Sequence, residues 1–175
     1  MERLWSGWRL GAPDGLGSDG QPHPNLSPKP GLSLFETIVQ SGLNDEETYI
    51  LHRWKNTFAI LNVFPYNPGH LMVLPYDAVP SIMDLTDLVY DELWRSVRQA
   101  TAVVKRVYLP AGINVGINEG PAGGGSQRDH LHVHVVPRWS SDTNFMSTLS
   151  DARILPETLR SSWDRLRAGW VDEVE

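Results

Sequence analysis

The chain has 175 residues, a formal net charge of −6 and no cysteine. That length suits one domain with ornament at its ends. The charge argues against a nucleic-acid polymer or an anionic membrane as partner, while a local site can still take a small anion. Without cysteine there is no disulfide, zinc ribbon, iron–sulfur cluster or thiol nucleophile.

Residues 1–45 read as an arm, partly irregular. "GAPDGLGSDGQPHPNLSPKPG" is dense in turn formers and buries little. The preceding "RLWSGWRL" carries two tryptophans and is expected to anchor on the body or on a partner subunit. Its start lacks the apolar run of a secretory signal, and no stretch of about 18 apolar residues follows. The expected location is therefore the cytoplasm.

Residues 46–140 form the body. "TYILHRW" and "TFAILNVF" predict adjacent strands, "PYNPG" a turn, and "HLMVLPY" a third strand in an antiparallel meander. The stretch "DLTDLVYDELWRSVRQATAVVKRVY" predicts a long helix. Leu88, Leu93, Trp94, Val97, Val104 and Val107 lie at helical spacing, Asp84 or Thr86 caps the start, and "LPAG" stops it. "INVGIN" predicts a strand, followed by the loop "EGPAGGGSQRD" and another strand. Residues 141–175 form an extension with a weak amphipathic helix between Pro156 and Trp170. Strands, then helix, then strands indicate an α+β fold on an antiparallel sheet.

The last strand, "DHLHVHVVPRW", places His130, His132 and His134 at alternate positions. Alternate side chains of a strand share a face, so the three imidazoles stand about 7 Å apart along one side. Leu131, Val133 and Val135 then turn to the core. Three histidines on a dry face would each need a partner, so a polar site is expected. Two readings of it stay open. One is a metal site, since imidazole suits zinc. The nearby acids Glu119 and Asp129, however, lack evident ligand spacing. The other is nucleophilic catalysis at phosphorus, because neutral imidazole is a good nucleophile near pH 7. The loop "NEGPAGGGSQRD" favours the second: its glycines let backbone N–H groups cradle an anion, and Asn118 and Ser126 add donors.

"HLHVHVV" resembles the histidine triad signature. "FAILNVFPYNPGHLMVLP", with Asn62 and His70 at its polar positions, resembles the family's first block. "INEGPAGGGSQRDHLHVHVVPR" resembles its second, as written in the fragile histidine triad branch. "HVVPRW" followed by "DTNF" is similar to the bacterial diadenosine tetraphosphate phosphorylase group. The resemblance implies a five-stranded antiparallel sheet with one long and one shorter helix, the sheet continuing across a homodimer.

It also implies nucleotidyl transfer from diadenosine tri- or tetraphosphate, through a nucleotidyl-histidine, to phosphate or water. His132 would be the nucleophile, with His134 on the non-bridging oxygens and His130 and His70 arranged around them. Gly125, Ser126 and Asn118 would hold the leaving group or acceptor, and Asn62 the ribose. Ile60 and the arm's tryptophans are candidates for an apolar base pocket. No tightly bound cofactor or metal is implied, only a divalent cation carried with the polyphosphate. A phosphoramidase on the same scaffold and a nucleotide-binding module with little turnover are the alternatives.

Overall fold

The structure, a computed structural model, describes residues 29–124, 127–140, 142 and 157–170. Two short helices come first. Helix α1, Leu34–Val39, starts on a capping box in which Ser33 and Glu36 satisfy each other's backbone N–H. Helix α2, Asp45–Thr48, repeats the device with Asn44 and Glu47, and ends on Tyr49 at φ 59°. This left-handed residue turns the chain into β1, Ile50–Arg53. Strands β2, Thr57–Leu61, and β3, Leu71–Pro75, complete the expected meander.

Helix α3, Asp87–Tyr108, is capped by Thr86 and closed by Leu109 in the left-handed region, within the expected limits. Strands β4, Gly112–Ile117, and β5, Val133–Arg138, follow, and helix α4, Leu159–Gly169, ends the described chain. The sheet runs β1-β2-β3-β5-β4, every pair antiparallel. Among the described residues no helix is long and apolar enough to cross a membrane.

Two-residue periodicity divides the sheet into two faces. One bears Leu61, Leu71 and Val135 in a single cross-strand row and Ala59, Val73 and Val133 in the next. All six are buried against Leu93, Val97, Ala100, Val103 and Val104 of α3. Full burial of such side chains is worth roughly 1.5–3 kcal/mol each. Leu88, expected on this face, is instead 59 % exposed. It lies in the first helical turn, before α3 reaches the sheet. Helix α4 packs on α3 and β1 through the fully buried Leu166, and Trp163 Nε1 donates to the Ile50 carbonyl at 3.0 Å.

The opposite face carries Phe58, Ile60, Met72 and Leu74, buried with Ile50 under Phe35 of α1. Ile60, Met72, His134 and Gly116 form one row across four strands. Ile60 is thus a member of this second core, while the arm's tryptophans lie outside the described residues. Strand β4 is one of the sheet's two edges, opposite β1, and is largely exposed.

Candidate active site

Alternation begins at His130, three residues before β5 itself, so His130, His132 and His134 share the second face while Leu131 joins the first core. All three are buried, as are His70 and Asn62. What separates the three histidines is the partner of each ring nitrogen.

His130 Nε2 lies 2.9 Å from the Pro75 carbonyl, which only accepts, so this nitrogen carries the proton. Nδ1 then accepts from Ser33 Oγ at 2.7 Å, while Ser33 Oγ itself accepts from the Glu36 N–H. Burial pushes this imidazole's pKa below the ordinary histidine value, keeping it neutral near pH 7. Both nitrogens are committed to holding the chain in place.

His132 Nδ1 lies 2.8 Å from the His130 carbonyl and must donate to it. In the neutral ring this puts the lone pair on Nε2. Phe35 stands beside it, ring centroids 5.8 Å apart.

His134 is set by a relay. The Tyr66 backbone N–H donates to His70 Nδ1 at 3.0 Å, so His70 carries its proton on Nε2. That proton goes to His134 Nδ1 at 2.9 Å, leaving His134 with a donor N–H on Nε2. Asn118 Nδ2 lies 3.4 Å from that nitrogen; as an amide nitrogen only donates, it does not accept this N–H, which stays directed at the site. One face therefore presents a lone pair on His132 and an N–H on His134, with ring centroids 4.9 Å apart.

The remaining expected residues fall into two groups. Asn62 Oδ1 accepts from its own chain at Phe64 N, and its Nδ2 sits 3.5 Å from His70 Nε2. Gly125 and Ser126 lie outside the described residues. Among the described residues no group of three or more His, Asp or Glu is placed to hold a metal ion.

The structure adds side chains that the sequence reading did not single out. Ser33 and Phe35 belong to the arm yet touch the triad; the pattern Ser-x-x-Glu at Ser33–Glu36 was the available signal. Asn67 pins the turn that supplies the Tyr66 N–H, donating 2.8 Å bonds to the Pro137 carbonyl and to Asp142. Asp142 also takes a bidentate pair of bonds from Arg138, at 2.6 and 2.7 Å. The guanidinium holds this carboxyl well below the usual carboxylate range.

Residues 44–141 match the HIT domain family. The chain is 41 % identical to an AP-4-A phosphorylase of Mycobacterium tuberculosis, over 98 % of its own length and 85 % of the relative's. It is 37 % identical, over 53 % of its length and 50 % of the relative's, to an asymmetrical bis(5'-nucleosyl)-tetraphosphatase of Schizosaccharomyces pombe. A zinc-bound histidine triad family protein of Mycobacterium smegmatis superposes with a TM-score of 0.64 at 25 % identity, covering 79 % of this chain and 92 % of that one. A HIT-like protein of Bartonella henselae gives 0.62 at 19 % identity, covering 78 % and 95 %. The chain belongs to the HIT, or histidine triad, family.

Proposed function

We propose that the protein cleaves dinucleoside polyphosphates by nucleotidyl transfer through His132. The observation that carries this is the His132 Nδ1 bond to the His130 carbonyl, which directs the ring's lone pair to Nε2. The relative named AP-4-A phosphorylase, similar over nearly the whole chain, supports the substrate class.

In the first step the Nε2 lone pair forms a bond to the α-phosphorus, and the bond to the bridging oxygen breaks. The polyphosphate leaves with that electron pair. As the imidazole becomes cationic, its Nδ1–H bond to the carbonyl strengthens and spreads the charge. His134 Nε2–H donates to a non-bridging oxygen, where negative charge accumulates. In the second step an oxygen of phosphate or water attacks the same phosphorus, loses its proton, and Nε2 departs with its electron pair. Asn62 is assigned to the ribose; Asn118, Gly125 and Ser126 are assigned to the leaving group or acceptor. A divalent cation would travel with the polyphosphate.

Incubation with diadenosine tetraphosphate, with and without phosphate, tests this by product mass. Phosphorolysis yields ADP and ATP, whereas hydrolysis yields AMP and ATP. His132→Asn is expected to lose at least about a thousandfold in kcat, the scale of removing an essential nucleophile. Substantial turnover by that variant would refute the assignment.

We also infer a homodimer in which the sheet continues. The support is that β4 is an exposed edge carrying Val115, which is 43 % exposed, and such edges are ordinarily paired or protected. Sedimentation should give twice the chain mass for the wild type and the chain mass for Val115→Glu. A monomeric wild type overturns this inference.

A further inference from the structure

The turn between β2 and β3 supplies the donor on which the histidine relay depends. Two neutral imidazoles can share a hydrogen bond in either direction. His70 Nε2–H can donate to His134 Nδ1, or His134 Nδ1–H to His70 Nε2. The second arrangement would leave a lone pair on His134 Nε2, which repels a phosphate oxygen instead of binding it. The Tyr66 N–H at His70 Nδ1 selects the first. The placement of one backbone amide therefore decides whether the site holds a donor.

Asn67 fixes that amide. Its carbonyl accepts from the His70 N–H at 3.1 Å, which closes the turn beside Tyr66. Its side-chain amide gives one hydrogen to the Pro137 carbonyl and the other to Asp142 Oδ2, each at 2.8 Å. Both partners only accept, so the amide is held in one orientation.

Asp142 does more than its local turn needs. Oδ2 accepts from Arg138 Nε and from the Trp139 N–H at 3.2 Å, and Oδ1 accepts from Arg138 Nη2. Those contacts lie within four residues and close the end of β5. The Asn67 bond instead reaches 75 positions back along the chain. The carboxylate is only 9 % exposed, and a buried charge is costly unless its oxygens are satisfied. One carboxylate here serves Arg138 and Asn67 at once. Arg138 is held in turn by Asn114 Oδ1 of β4 at 2.7 Å. Asn67 is thus clamped by a charged pair anchored on two strands.

We propose that Asp142 is a positioning residue of the transfer reaction: through Asn67 it fixes the turn that supplies the Tyr66 N–H, and so keeps an N–H of His134 aimed at the phosphoryl oxygens. The proposal rests on the nucleotidyl-transfer reading above. Imidazole nitrogen shifts from long-range proton–nitrogen NMR at about pH 8 read the tautomers directly. In the wild type His70 and His134 should each show a protonated Nε2 and a bare Nδ1. In Asp142→Ala both rings should give averaged shifts. Its kcat on diadenosine tetraphosphate should fall by roughly tenfold or more, with KM changed by less than about twofold. Asp142→Asn loses the ion pair but keeps an oxygen for Asn67. It should restore the single tautomers and most of kcat, even with a lower melting temperature. A residue that only stabilised the fold would lower melting in both variants and leave the tautomers alone. A folded Asp142→Ala with wild-type ring signals overturns the proposal, as do averaged signals with wild-type kcat. If Asp142→Ala does not fold, Asn67→Ser carries the same expectations and the same refutations. A wild type with the expected ring signals and no turnover refutes the transfer reading itself, which is a distinct result.

Discussion

At the scale of single residues, three histidines of one type become three different groups because their hydrogen-bond partners differ. The sequence alternation placed them on one face, and it did so correctly because period two is a property of the local chain. It could not distribute the protons, since Pro75 and Ser33 lie 55 and 97 positions from His130. Ser33→Ala removes the donor to a buried ring nitrogen and should cost about 1–3 kcal/mol of stability, read from urea midpoints. Turnover should fall with it, because the carbonyl that orients His132 belongs to His130.

The same residue gives a pH dependence. His130 has a folded-state pKa depressed below its unfolded value of about 6.5, so the unfolded chain binds the extra proton first. Its stabilising contribution is present above about pH 6.5 and is lost as pH falls through that value toward the folded pKa. Melting temperature measured from pH 8 to pH 5 should decline, and decline less in His130→Gln. An equal slope in both proteins would remove His130 as the cause.

At the scale of elements, the turn between β2 and β3 shows what a short motif can and cannot reveal. "PYNPG" marked it as a turn, and Gly69 indeed takes φ +78°. The close approach was not legible: a Cβ on Gly69 would sit 2.4 Å from the Tyr108 ring at the far end of α3. Gly69→Ala therefore faces about 1–2 kcal/mol of backbone strain plus a collision. It should destabilise the protein by more than that strain alone and displace His70, slowing turnover; a variant with wild-type melting and kcat would contradict this. Helix α1 escaped the sequence reading for a different reason. Six residues give too little periodicity to register, and only its capping box was visible. Yet this element brings Ser33 and Phe35 to the triad, ahead of the family match that begins at residue 44.

At the scale of the whole molecule, the α+β architecture was legible because strands, helix and strands are segregated along the chain. The strand order was not, since nothing local records that β3 pairs with β5 rather than with β4, the next strand in sequence. That pairing has a kinetic consequence. His70 and His134 lie 64 positions apart, and all of α3 and β4 must be spanned before the two rings can meet. Local hairpins close early and such long loops close late. During refolding from urea, the helical signal should therefore return first and catalytic turnover with the slowest phase. Recovery of activity in the fastest phase would contradict this. The site is thus a clock as well as a catalyst: its hydrogen-bonded pair of imidazoles records the moment when the two halves of the chain have found each other.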